Sequence, residues 1–255
     1  MTVAKGRGSL LAFFVFFCIA LYIYFRRARS GKPVFIRRIT GLDAIDEAIG
    51  RCTEMGRPVH YTFGAGDFDT NVLASFDVLK YASEKAADMD TDIIVTNFLP
   101  ETQPITEEIV SQGFVSQGKA DKYKPDNVRF LSNNQNSYVA GIYGIFMRER
   151  PAANLMLGPF FAESMLIAEV GQMIGAIQIG GTGRTIQVPF FIAACDYTLI
   201  GEELFAAGAY ISRNTFQVAA LMAEEVAKYL AVALMVIGAI FKTMGVKWLA
   251  DLINF

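Results

Sequence analysis

The sequence predicts an α/β protein, a Rossmann-like and mostly parallel sheet with flanking helices, joined to an N-terminal transmembrane helix and to a second membrane helix at the C-terminus. Three observations point there: short β-rich runs alternate with helical patterns, an uncharged apolar run near the start is followed by cations, and the C-terminal stretch is again apolar. At 255 residues the chain has room for one large domain with a substantial core. Its apolar share of 53% and mean hydropathy of +0.34 exceed those of an average soluble domain.

Residues 9–25 carry no charge, and as a helix they would be roughly 25 Å long, just enough to cross a bilayer. Tyr22 and Tyr24 stand at one end, where aromatic rings favour the headgroup region. Only Lys5 and Arg7 precede the run, whereas Arg26, Arg27, Arg29 and Lys32 follow it, with Arg37 and Arg38 beyond. The positive-inside rule therefore expects residues 1–30 to be an anchor in the cell membrane with the main domain in the cytoplasm. A cleaved signal peptide fits less well, because arginines stand where a small-residue cleavage site belongs. Cys18, Cys52 and Cys195 are widely spaced and odd in number, which suits a reducing compartment.

Residues 31–56 read as a basic juxtamembrane segment and a helix over 41–56, with Leu42, Ile45, Ile49 and Cys52 on one stripe. The α/β domain is expected over 57–213. Its strands are read at 57–63 (RPVHYTF), 92–98 (DIIVTNF), 128–132 (VRFLS), 155–161 (LMLGPFF), 175–180 (GAIQIG) and 186–195 (IQVPFFIAAC). Pro189 inside the last run confines it to a sheet edge or to a start after the proline. Helices are read at 71–87, 104–117, 135–150, 160–173 and 199–211, and such alternation argues for parallel strands joined by right-handed crossovers. In 214–255, Asn214 can cap a long helix to Phe241. If Lys228 and Lys242 snorkel and the helix reaches Trp248 at the interface, it becomes a second membrane segment, with 246–255 along the surface.

The run LMLGPFFAESMLIAEVGQMIGAIQIGGTG, followed by QVPFFIAACDYTLIGEELFAAGAYIS, resembles an uncharacterised prokaryotic family of membrane proteins classed as a domain of unknown function. RPVHYTFG and FLSNNQNSYVAG are similar to it too, so the resemblance covers most of 57–212. It implies a membrane setting and transfers no catalytic role.

Gly64 and Gly66 follow a strand and precede a helix, as in a dinucleotide phosphate turn, but a third glycine is absent. Asp67 and Asp69 would repel a pyrophosphate there and read more simply as helix caps. A better-shaped anion site is Gly180, Gly181, Thr182, Gly183, Arg184 and Thr185, whose glycine N–H groups, hydroxyls and guanidinium could receive a phosphate-bearing small molecule. A glycine-rich connection between two strands would need the same residues for geometry alone. Between 151 and 212 five carboxylates, Glu163, Glu169, Asp196, Glu202 and Glu203, face one cation, Arg184. Glu163 and Asp196 are expected at carboxyl ends of strands, where α/β sites gather. Metal or acid/base work there ranks below contacts between subunits involving Arg184 or Arg148 and Arg150. His60, the only histidine, reads as a hydrogen-bonded core residue, and Ser164 lacks the glycines of a nucleophile elbow.

The balance of 23 basic against 25 acidic residues argues against a nucleic-acid partner. The expectation is a membrane-anchored, cytosol-facing domain that acts as a self-assembling scaffold, a homo-oligomer on the lipid bilayer. Small residues suited to close helix packing (Ala206, Ala207, Gly208, Ala209) add to it. The competing expectation is a nucleotide or small-anion binding domain, or an enzyme, using the 180–185 loop and the strand-end carboxylates. No catalytic residue, metal site or cofactor can be named.

Overall fold

Each central strand is a short run buried on both faces, as a parallel sheet covered by helices requires. The computed structural model describes residues 8–29, 40–212 and 215–243. The strands are β1 (Val59–Thr62), β2 (Ile93–Asn97), β3 (Val128–Phe130), β4 (Ala153–Leu157), β5 (Ile177–Thr182) and β6 (Tyr197–Ile200). They lie in the order β3-β2-β1-β4-β5-β6 with every neighbouring pair parallel, so the winding reverses between β1 and β4. This is the doubly wound Rossmann order, whose ligand crevice lies beyond the carboxyl ends of those two strands.

The helices are α1 (Gly8–Arg29), α2 (Thr40–Met55), α3 (Thr70–Asp88), α4 (Thr102–Ser116), α5 (Gln135–Glu149), α6 (Glu163–Met173), α7 (Val188–Ala194), α8 (Glu202–Ser212) and α9 (Thr215–Thr243). Alternation along the strands sends Val59, Tyr61, Val95, Leu155 and Ile179 to one side, where they pack with Ile45, Leu79, Val110 and Leu204 of α2, α3, α4 and α8. Ile94 and Met156 point the other way, against Ile142 and Phe146 of α5, Ile167 of α6 and Phe191 of α7. The α/β body is one unit, Arg37–Ser212. The second unit, Met1–Ile36 with Arg213–Phe255, pairs α1 with α9.

The expected α/β architecture holds, with local corrections. Residues 188–194 form α7 rather than a strand, and Pro189 occupies its first turn, where a missing N–H costs nothing. The sixth strand is the four-residue β6 that follows. The fourth strand runs over 153–157 instead of 155–161, because the chain turns at Gly158. That residue has φ 147°, and a Cβ there would lie 2.3 Å from the Phe63 carbonyl oxygen.

The larger correction concerns the membrane. Among the described residues no helix is long and apolar enough to cross one, which overturns the N-terminal anchor, the C-terminal membrane helix and the localisation built on them. The uncharged run 9–25 gives about 25 Å of helix against a hydrocarbon core of about 30 Å. In α9, Glu224, Glu225 and Lys228 confine the uncharged stretch to 229–241, about 20 Å. Lys5, Arg7, Lys32, Arg37, Arg38, Asn214 and the 246–255 segment with Trp248 lie outside the described residues.

Candidate functional site

The carboxyl ends of β1, β4 and β5 converge where a Rossmann ligand would bind, and the chain fills that place with its own side chains. Gly64 has φ 84°, and a Cβ on it would lie 2.8 Å from the Phe160 ring; one on Gly66 would lie 2.3 Å from the Pro159 oxygen. The glycines thus admit the β4 loop rather than a pyrophosphate. Phe160 is fully buried and meets Phe191 edge to face at 5.2 Å. The hollow left between Gly64, Gly66, Phe98 and Thr102 has about 10 Å³, one water at most.

The N-terminus of α3 is occupied as well. Asp69 is its N-cap, accepting from the N–H groups of Asn71 (2.8 Å) and Val72 (3.3 Å). Asn71 Nδ2 donates to Asp69 Oδ2 at 2.9 Å, and Gly183 N–H donates to Asn71 Oδ1 at 2.9 Å. The Arg184 guanidinium lies 3.5 Å from the Asp69 carboxylate and 4.2 Å above the Phe161 ring, while its backbone N–H donates to Thr182 Oγ1 at 3.2 Å. The Gly183 N–H, the Arg184 N–H and the Arg184 guanidinium, three of the donors proposed for a phosphate, are therefore engaged within the chain.

The expected anion loop is divided. Gly180, Gly181 and Thr182 are buried inside β5, where a Cβ on Gly180 would meet Phe191 at 2.2 Å and one on Gly181 would meet Leu157 at 2.6 Å. Only Gly183, Arg184 and the exposed Thr185 lie in the connection to α7. Glu163 does reach the carboxyl edge. It is 1% exposed, its Oε1 accepts from Ala65 N–H and Phe161 N–H at 2.9 Å each, and its Oε2 accepts from Gln135 Nε2. It ties the loops after β1 and β4 to α5. Asp196 lies elsewhere: it opens β6 and accepts from Gln178 N–H at 2.8 Å, near the amino end of β5. Four residues separate Gln178 from Thr182, about 13 Å along the strand, so Asp196 and Arg184 do not form one site.

A buried polar ladder beneath α5 and α6 escaped sequence reasoning. Thr96, His60, Asn154 and Gln178 cross four strands: Thr96 Oγ1 to His60 Nε2 at 3.0 Å, His60 Nδ1 to Asn154 Oδ1 at 2.8 Å, and Asn154 Nδ2 to Gln178 Oε1 at 3.2 Å. Gln178 Nε2 closes the row on the Ala168 carbonyl at 2.7 Å. The bonds satisfy one another if each member donates to the next, with the His60 proton on Nδ1. Burial holds the imidazole neutral, lowering its pKa from 6.5 to about 4. Tyr138 bridges Thr62 Oγ1 (2.6 Å) and the Thr96 carbonyl (3.0 Å), and burial pushes its hydroxyl up to about 12. The signal was a hydrogen-bonding side chain within each of four buried strand runs, His60, Thr96, Asn154 and Gln178. His60 is the hydrogen-bonded core residue it was expected to be.

At the amino side of the sheet, Cys52, Arg57, Asp90, Asp92, Lys122 and Lys124 border a cleft of about 480 Å³. Asp90 pairs with Lys119 and Lys122 (2.8 and 2.7 Å), Asp92 pairs with Lys124 (2.6 Å), and Arg57 donates to the Pro151 and Ile174 carbonyls. Burial pushes the Cys52 thiol up to about 12, which leaves it protonated and unreactive. Among the described residues no group of three His, Cys, Asp or Glu side chains could hold a metal ion.

The outer surface of α6 and α7 is a further feature, one that the sequence reading did not single out. Met165, Leu166 and Met173 on α6 are 51, 49 and 66% exposed, and Ile186, Phe190 and Ile192 are 80, 40 and 56% exposed.

A family model described as a domain of unknown function, DUF6754, matches residues 2–253. No curated protein and no solved structure matches the chain. The match agrees with the resemblance as a domain of unknown function and carries neither its prokaryotic nor its membrane part.

Proposed function

The chain belongs to the DUF6754 family, and from that premise, which brings no activity with it, we propose a structural protein that associates with copies of itself through the outer face of α6 and α7. The observation that carries this reading is the apolar face itself. Its six large side chains, 40 to 80% exposed, offer roughly 600 Å², beyond the usual scatter of single exposed residues and close to the ~800 Å² that each partner gives a standard interface. Self-filling of the switch-point crevice supports the same reading. Phe160 and Pro159 occupy the place of a nucleotide, and Asp69 and Phe161 engage Arg184, so the anion-binding alternative would first have to break contacts already made.

Sedimentation of the full chain tests the proposal. Self-association by about 100 μM is the expected result, and Leu166→Glu, which puts a charge at the centre of the face, should weaken it tenfold or more. A monomer throughout, or a Leu166→Glu variant that associates like the unaltered chain, would remove the proposal.

A further inference from the structure

We propose that two copies meet across a two-fold axis between α5 and α6, registered by ion pairs between Glu169 of one copy and Arg148 of the partner subunit. The inference rests on the assembly reading above and adds the arrangement of the contact.

Glu169 lies in the middle of the exposed stripe of α6, four residues after Met165 and four before Met173, so all three share one side of the helix. From 161 to 195 the charges are Glu163, Glu169, Arg184 and none besides until Asp196. Glu163 is buried and hydrogen-bonded, and Arg184 is engaged by Asp69 and Phe161. Glu169 is thus the exposed charge of the α6–α7 face, and among the described residues no cation or donor pairs with it. Covering the apolar side chains around it with a second surface would leave a lone carboxylate out of water, which is strongly unfavourable unless that surface brings a cation.

The same layer of helices supplies one. Arg148 is exposed in the last turn of α5, the helix packed beside α6, and no carboxylate pairs with it among the described residues. Its guanidinium lies back along its own helix, 3.1 Å from the position a Cβ would take on Gly144. Met147 beside it is also exposed and extends the apolar surface onto α5. The neighbouring cation Arg129 is taken by Glu149, which leaves Arg148 available.

An isologous contact joins a patch to itself, so the patch must carry both signs of charge, each placed to meet the other after a half-turn. The α5–α6 layer meets that condition with one carboxylate and one guanidinium. A two-fold axis between α5 and α6 makes the pair twice and sets the exposed Met165 and Met173, which flank Glu169, against the last turn of the partner subunit's α5. A partner of different chemistry would need only one sign here. The self-complementary pair therefore favours a second copy as the occupant.

Charge exchange between two variants is the test. Glu169→Arg alone sets arginine against arginine twice in the dimer, and Arg148→Glu alone sets glutamate against glutamate twice. Each should weaken self-association of the full chain tenfold or more in sedimentation. An equimolar mixture of the two variants should recover it as a mixed dimer. There the arginine introduced in one copy faces the glutamate introduced in the other, while the original Arg148 of the first copy still faces the original Glu169 of the second. Both positions are exposed, and unchanged thermal unfolding of each variant establishes that it is folded. If the single variants associate like the unaltered chain while Leu166→Glu dissociates, the assembly face stands and the ion-pair arrangement falls. If the single variants weaken association and the mixture does not restore it, the arrangement also falls. If Leu166→Glu itself has no effect, the assembly reading fails and takes this inference with it.

Discussion

Acid should destabilise the α/β unit in part through the buried side chain of His60. The imidazole lies inside the sheet between Thr96 and Asn154, and burial lowers its pKa from 6.5 to about 4. Between those values the unfolded chain binds a proton that the folded one excludes, so unfolding is favoured as pH falls. The contribution of the neutral imidazole is whole above about pH 6.5, declines toward pH 4 and is gone below it. A separation of that size corresponds to about 3 kcal/mol, a large part of the ~5–15 kcal/mol that holds a typical domain together. His60→Gln keeps a donor and an acceptor but cannot titrate. The variant should cost about 1–3 kcal/mol at pH 7, from imperfect hydrogen bonds and the loss of the edge contact with Phe146 at 4.8 Å. Urea unfolding followed by circular dichroism at pH 7, 6, 5 and 4 would give the stability of both proteins. The advantage of the unaltered chain over the variant should shrink by about 3 kcal/mol across that range, since carboxylates elsewhere titrate equally in both. An advantage that stays constant from pH 7 to pH 4 would refute the assignment of the acid sensitivity to this ladder.

Two further outcomes follow from local geometry. Gly66→Ala should destabilise the fold by about 1–3 kcal/mol in the same urea assay, because its Cβ would stand 2.3 Å from the Pro159 oxygen, whereas Gly50→Ala in α2 meets nothing within 4 Å and should gain up to about 1 kcal/mol. Equal effects at the two positions would contradict the close packing of the β1 and β4 loops. Glu163→Ala should cost about 1–3 kcal/mol by orphaning the buried Ala65 N–H and the half-buried Phe161 N–H, and Glu163→Gln less, since one amide oxygen can still accept from both. A cheaper alanine than glutamine would sink that account.

Local pattern carries the first half of the sheet. The runs containing β1, β2 and β3 are short, β-branched and bounded by loops, and the helices between them have regular apolar periods, so their type is readable from neighbours in sequence. The second half misleads where the deciding partner is distant. VPFFIAA is apolar throughout and has no period to separate strand from helix; Pro189, weighed only as a limit on a strand, marks the first turn of a helix. Reading that run as a strand moves Asp196 from the amino end of β6 to the imagined end of a strand, and so into a site it does not enter. Gly180 and Gly181 look like loop residues because glycine usually marks loops. They belong to β5 because Phe191 and Leu157 press against them, a fact of packing that composition does not contain. Glu163 does stand at the carboxyl edge where strand order by itself would put it, but its partners Ala65 and Gln135 come from two other segments. The membrane expectation accepts an uncharged helix of roughly 25 Å as sufficient, although the hydrocarbon core is about 30 Å thick.

Hydrogen exchange of the full chain, compared at about 1 μM and about 100 μM, tests the central claim most directly. Peptides from the outer face of α6 and α7, together with the last turn of α5, should exchange more slowly at the higher concentration, while α3, α4 and α8 on the opposite side of the sheet should not change. Exchange in α6 and α7 that is the same at both concentrations would contradict self-association through that face.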